Sequence, residues 1–341
     1  MRLDTRNPKT EISTTDSTEC TDKKTLTRVI RGFLLAALVM GESARAAEAD
    51  KLLPNDSEYV VTLNVRLLLD SALTKKYGLP KLQELLKSDQ EIQEIFKSLG
   101  LDPLADIHSL TLASTNTKDP SKALFILHGK FDPAKIHNKA LDVIQTYGEV
   151  LKVHMADPAR YYEVNFPGQT SFFVAVVDAG TIVASPGKEG LVEALEKAAG
   201  KRKSEVKKEL LDLVAKIDTG RTLWMIGLKS ALEHSPLSAD DNARPVLAKI
   251  ETAAAGVTVS TDIKAEFTLN AKNADAAKEL SKDVVEKLNN AKGIVSILVG
   301  DVKELQILLE LVDALKVSTE DRTVMLRGQI GEQTIEKSLK K

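Results

Sequence analysis

Val257-Thr258-Val259-Ser260-Thr261-Asp262-Ile263-Lys264-Ala265-Glu266-Phe267-Thr268-Leu269 reads as two strands, 257–259 and 263–269, paired across Thr261-Asp262. So short a connection joins neighbours antiparallel, because a parallel pair needs a crossover of a dozen or more residues. The same form recurs upstream. Leu110-Thr111-Leu112 and Leu124-Phe125-Ile126-Leu127 flank the turn-forming Asn116-Thr117-Lys118-Asp119-Pro120, and four short strands follow at 150–155, 160–166, 171–178 and 180–184. Strand–turn–strand pairs of this kind argue against a doubly wound parallel sheet.

Helices alternate with these pairs. Leu82, Leu85, Leu86, Ile92, Ile95, Phe96 and Leu99 recur at spacings of three and four, marking an amphipathic helix pair broken near Ser88-Asp89. Asp132-Pro133 starts another helix, with Asp as N-cap and Pro at the first helical position. Ser185-Pro186 opens a further one through Leu191 and Leu195, and a second covers 204–217. The order then repeats. Tyr59–Val65 has a counterpart strand at Thr222–Ile226, helical stretches run to Ile250, and the 257–269 pair follows. Helices over 275–288 and between Ile294 and Leu315 lead to closing strands at 315–319 and 322–330. Leu151-Lys152-Val153 is echoed by Leu315-Lys316-Val317 at the matching place.

The expected fold class is therefore α+β, in two similar units, each a mainly antiparallel sheet with helices on one face. The first unit spans 50–218, with an inserted segment at 171–217, and the second spans 219–341. The turn Lys216-Ile217-Asp218-Thr219-Gly220 lies between them.

With 341 residues, 43% hydrophobic and 28% charged, the composition is that of a globular protein. The 47 basic and 49 acidic side chains give a formal charge of −2, and aromatics are only 4%. Neither the charge nor the aromatic supply suits nucleic acid, so no nucleic-acid partner is expected.

Residues 1–28 are polar, without apolar period, and read as disordered. Lys23, Lys24, Arg28 and Arg31 then precede the eight-residue apolar run Phe33–Met40, and Ala44-Arg45-Ala46 supplies a small-residue exit. These are the parts of a signal peptide, with cleavage expected between Ala46 and Ala47. A membrane span needs about 20 apolar residues, so none is expected in the mature chain. Residues 1–46 hold 8 basic and 6 acidic side chains, leaving 39 and 43 and a mature charge of −4. Cys20, the only cysteine, would leave with the signal. A cysteine-free mature chain has no disulfide, Cys nucleophile or thiolate metal site. Location in the periplasm or outside the cell follows, with residues 47–58 solvated and mobile up to the strand at Tyr59.

Motifs that carry chemistry are missing. No G-x-S-x-G, H-E-x-x-H, G-x-x-x-x-G-K-[ST] or G-x-G-x-x-G occurs. Ser185-Pro186-Gly187-Lys188 reads as helix capping rather than a phosphate loop. Of five histidines, His128 shares a strand face with Leu124 and Ile126. His154 lies where a hairpin could bring it beside Glu163. Two ligands without a third at recognisable spacing make only weak metal candidates, so no metal and no cofactor are expected. Asp240-Asp241 and Glu320-Asp321 read as solvated turns. Lys201-Arg202-Lys203 with Lys207 and Lys208 reads as a solvated helix face, because Glu205 and Glu209 interleave it. Trp224 reads as core or sheet surface.

Leu53-Pro54 before Val60-Val61-Thr62-Leu63-Asn64-Val65-Arg66, then Leu68-Leu69-Asp70-Ser71, Phe131-Asp132-Pro133-Ala134-Lys135 and Val183-Ala184-Ser185-Pro186 resemble a family of exported, uncharacterised proteins from Planctomycetes. The resemblance covers nearly all of 50–341. It implies export and carries no catalytic residue over. The expected function is thus a non-catalytic binding or interaction protein, whose partner is an envelope protein or a small ligand. It would work through the cleft between the halves or an exposed sheet face. The alternative is an envelope hydrolase with dispersed catalytic residues. A pocket of convergent polar groups discriminates the two.

Overall fold

A computed structural model describes residues 50–115, 119–165, 170–241, 243–299 and 303–340. The expected signal segment, Cys20, the Ala46/Ala47 cleavage site and Asn116–Lys118 lie outside the described residues.

The strands are β1 (Tyr59–Leu63), β2 (Ile107–Ser114), β3 (Ala123–Gly129), β4 (Leu151–Ala156), β5 (Ala159–Val164), β6 (Phe172–Asp178), β7 (Thr181–Ser185), β8 (Leu223–Leu228), β9 (Ile250–Val259), β10 (Asp262–Ala271), β11 (Lys316–Glu320) and β12 (Thr323–Gly331). The main helices are α1 (Val65–Asp70), α2 (Leu79–Ser88), α3 (Gln90–Leu99), α4 (Pro133–Tyr147), α5 (Lys188–Ala198), α6 (Lys208–Val214), α7 (Ala274–Val299), α8 (Lys303–Ala314) and α9 (Glu332–Lys340). Asp132 caps α4 as its sequence demands, its carboxylate accepting the N–H groups of Ala134 and Lys135 at 3.1 and 3.0 Å.

The α+β class and the antiparallel pairing hold throughout, but the expected two sheets are one. Twelve strands form a single sheet in the order β11-β12-β10-β9-β8-β1-β2-β3-β7-β6-β5-β4. The join is made by β1 and β8, which pair antiparallel with Val61 opposite Met225. Each is apolar on both faces, so neither could serve as a solvated edge, and pairing them removes two edges at once.

The expectation of helices on one face is also corrected. Leu124 and Ile126 of β3 and Val183 of β7 pack with Leu191 and Leu195 of α5 and Leu210 of α6. Their immediate neighbours Leu127 and Ile182 pack with Val65 and Leu69 of α1 and Phe96 of α3. Adjacent strand residues point to opposite faces, so these strands are covered on both. Following the register across to the far end, the α1–α3 face continues under α7, where Phe267, Leu269, Val324 and Leu326 meet Ala277, Leu280 and Val284.

The α5–α6 face behaves differently. One cross-strand row on it reads Leu124, Ala113, Val60, Ile226, Ala254, Thr268, Met325, Ser318. Its first four members are at most 1% exposed. The next three are half-buried and Ser318 is exposed. The row turns from apolar to polar where the helical cover ends.

The segment before β1 is docked rather than mobile, which corrects the third expectation. Leu52 and Leu53 are 3% and 1% exposed in the α5–α6 core. Lys197 of α5, its side chain 1% exposed, pairs with Glu193 at 2.7 Å and donates to the Leu53 carbonyl. Glu193 accepts the Asn55 N–H at 2.9 Å. Burial of two leucines outweighs the polarity of Glu48, Asp50 and Lys51 that suggested solvation.

Candidate functional site

Where α6 stops short of the second end of the sheet, a trough of about 440 Å³ opens on the uncovered face. Its floor is the polar half of the alternation in β9, β10 and β12. The inward-facing residues of those strands fill the α7 core, which leaves Thr252, Ala254, Gly256, Glu266, Thr268, Asn270 and Thr323 facing out. One wall is Glu209, Asp212 and Leu213 of α6 with Lys216 and Asp218 beyond it.

A hydroxyl–amide ladder crosses three strands of this floor. Thr323 Oγ1 donates to Asn270 Oδ1 at 2.9 Å, and Asn270 Nδ2 donates to Thr252 Oγ1 at 2.9 Å. Arg221, just before β8, lies flat on the sheet because position 256 is glycine. A Cβ there would sit 2.3 Å from Arg221 Cδ. The guanidinium is only loosely engaged, with Nη1 3.5 Å from the Gly256 carbonyl oxygen, Nη2 3.5 Å from Glu266 and Nε 3.8 Å from Asp218. Nε is buried and has no hydrogen-bond partner. Glu266 is held more closely by Arg327 Nε, at 2.8 Å. The trough therefore presents an under-used guanidinium, a hydroxyl–amide row and exposed acids on its wall. Among the described residues lining it there is no histidine, cysteine or serine. None of this was singled out in the sequence. The available signal was the period-two alternation of Glu266, Thr268 and Asn270 against Phe267 and Leu269.

The sequence candidates lie elsewhere. His154 and Glu163 do meet, on β4 and β5, with His154 Nε2 2.6 Å from Glu163 Oε2. The imidazole stacks on Tyr161 with centroids 5.1 Å apart. Burial raises the Glu163 carboxyl, but the His154 hydrogen bond and the Lys152 charge are among the effects that outweigh it, leaving it below the usual range. Among the described residues no third His, Cys, Asp or Glu joins them as a metal-binding group.

Four of the five cations in the basic run have acid partners: Lys201 bonds Asp157, Arg202 lies 3.3 Å from Glu196, Lys207 pairs with Glu58 and Lys208 with Asp212. Ser185 does not cap α5 as expected: the N-cap is Gly187, without a side-chain bond, and Ser185 Oγ, at the end of β7, accepts the Gly187 N–H and donates to the Ala123 carbonyl. Trp224 is 7% exposed, in the core.

Asp50, His128 and Thr181 form a second group not foreseen. His128 Nε2 is 2.7 Å from Asp50 Oδ2, and Nδ1 is 3.4 Å from Thr181 Oγ1. The carboxylate–imidazole–hydroxyl order is that of a nucleophile relay, but the Thr181 side is long and Thr181 is buried. Asp50 also accepts the Leu52 N–H at 2.9 Å, so the group anchors the docked segment. The hydrogen bond to Asp50 raises the His128 pKa against the opposing effect of burial.

That sign gives a prediction. A raised imidazole contributes stability that is fully present below its unfolded pKa near 6.5 and is lost as pH rises through the folded value. Asp50→Asn should therefore destabilise the protein most near pH 6, by under about 1 kcal/mol because the imidazole is partly exposed. The difference should shrink at pH 8 in urea titrations. His108 works the opposite way, its pKa lowered by burial first and by Lys130 and Arg66. The wild-type–variant difference isolates His128 from it.

Among the described residues no helix is long and apolar enough to cross a membrane. No protein-family model matches the chain, and no curated protein matches it. It is similar to the solved structure of crystal form I of TP0453, at 10% identity and a TM-score of 0.43, over 86% of this chain and 98% of that one.

Proposed function

We propose that the chain is an exported, non-catalytic binding protein whose ligand lies in the trough beside α6. One observation carries this reading: the α5–α6 face loses its helical cover over β9, β10 and β12, where the strands present the Thr252–Asn270–Thr323 ladder and Arg221 with its buried, unbonded Nε. A volume of about 440 Å³ is in the range of small-molecule sites. The Arg221 guanidinium, whose Nη atoms are engaged only at 3.5 Å, keeps donor capacity that a polar ligand would use.

Thr268→Arg would place a long side chain across the floor from a half-buried position. Native mass spectrometry of protein purified from the producing cell should show a retained small molecule on the wild type and at least a tenfold lower occupancy on the variant. Equal occupancy, or none on either, would overturn the reading.

Export is part of the same proposal, with the Planctomycetes resemblance and the 1–46 sequence pattern in its support. Intact-mass measurement should find a chain beginning at Ala47, and a soluble cytoplasmic species whose mass includes Cys20 would sink it. We also read the chain as a duplication of units 50–218 and 219–341. Outward from the central pair, one arm runs β1-β2-β3-β7 and the other β8-β9-β10-β12, that is, first, second, third and last strand in each, which makes β7, inside the expected insertion, rather than a strand of the 150–166 pair the counterpart of β12.

A further inference from the structure

The two ends of the sheet differ in how they meet solvent. At the β4 end, His154 is tied to Glu163. At the β11 end, Lys316, Ser318, Thr319 and Glu320 are exposed, and β11 pairs with β12 alone. Its five residues run in unbroken register with β12, without proline or bulge. Proteins normally block such an edge with proline, a bulge or charge. Only charge is present here, and its placement is self-complementary.

We infer that β11 pairs antiparallel with β11 of a second copy of this chain, with the two-fold axis at Ser318. An axis normal to the sheet keeps each residue on its own face, so only registers centred on a residue are allowed. The Ser318-centred register sets Lys316 opposite Glu320 of the copy, and Glu320 opposite its Lys316. Centring on Val317 sets Lys316 opposite Ser318, and centring on Thr319 sets Lys316 opposite Arg322. Neither of those makes an ion pair.

Within one copy, Lys316 lies directly opposite Arg327, a like charge, while Arg327 bonds Glu266. Neither Lys316 nor Glu320 has an ion-pair partner among the described residues. The second copy would complete a row Glu266, Arg327, Lys316, Glu320 in which Lys316 gains the acid neighbour that Arg327 already has in Glu266. The β4 edge has no such pattern: a Val153-centred register sets Lys152 opposite His154, and a His154-centred one sets it opposite Ala156. A five-residue ladder buries less than a stable dimer needs, so the association is weak and concentration-dependent. This inference is independent of the trough.

Sedimentation velocity on the full chain over a concentration series tests it. The wild type should show reversible dimerisation. Lys316→Glu or Glu320→Lys alone turns two attractive pairs into two repulsive ones and should raise the dimer Kd by about tenfold or more. Mixing the two single variants regenerates both pairs in a heterodimer and should restore association, as should the double reversal within one chain. Both positions are exposed, and restoration on mixing requires that both variants be folded. A wild type monomeric at every concentration, a dimer indifferent to Lys316→Glu, or single variants that fail to associate when mixed would each overturn the inference.

Discussion

Lys197→Met should lower the free energy of unfolding by about 3–5 kcal/mol, the usual cost of leaving a buried charge without its partner. Lys197 reaches from α5 to the Leu53 carbonyl and to Glu193, whose side chain is 17% exposed. Without the ammonium, the carboxylate loses its nearest counter-charge and the Leu53 carbonyl its donor, and both stay largely buried. Burial raises the Glu193 carboxyl, but the hydrogen bonds from Lys197 and the Asn55 N–H and the charge of Arg202 outweigh it. A depressed carboxyl contributes stability above its unfolded pKa that is lost as pH falls through the folded value, so the wild type should weaken below about pH 4. Lys197→Met with Glu193→Leu should recover much of the loss, because an apolar pair needs neither charge desolvated. Guanidinium titration read through the single tryptophan, Trp224, measures all three. A Lys197→Met loss under 1 kcal/mol would show that the docked segment before β1 contributes little.

Ile226→Ala should cost about 2–5 kcal/mol, while Met225→Ala, one residue away on β8, should cost less than about 1 kcal/mol. Ile226 is 1% exposed, facing Val60 and Ala254 beneath α5 and α6. Met225 is 44% exposed on the opposite face. The contrast tests the central β1–β8 pairing directly, since a one-residue slip in register would exchange the two costs.

Much of the local structure was legible in the sequence. The Asp132 cap and the Glu320-Asp321 turn follow from residue chemistry within a few positions, whereas the sequence leaves Trp224 between core and sheet surface. Asp321, at φ 49°, occupies the left-handed conformation that Asp tolerates. His154 and Glu163 were foreseen together because one hairpin separates them. The trough was not, although its floor alternates visibly, since alternation cannot say whether a helix will cover the polar side. Asp50 and His128 are 78 residues apart, and Asn55 and Glu193 are 138 apart; no local pattern connects either pair.

The sequence by itself determined the α+β class, the antiparallel neighbours and the periods of each element, because caps, turns and side-chain alternation act over a few residues. Only the tertiary structure decided that β1 and β8 fuse two expected sheets into one. The same holds for the placement of helices on both faces, the docking of Leu52 and Leu53, and the halt of helical cover at β9. Those outcomes depend on which apolar surfaces find one another across more than a hundred residues. Burial is non-directional and carries no mark of its partner in the chain.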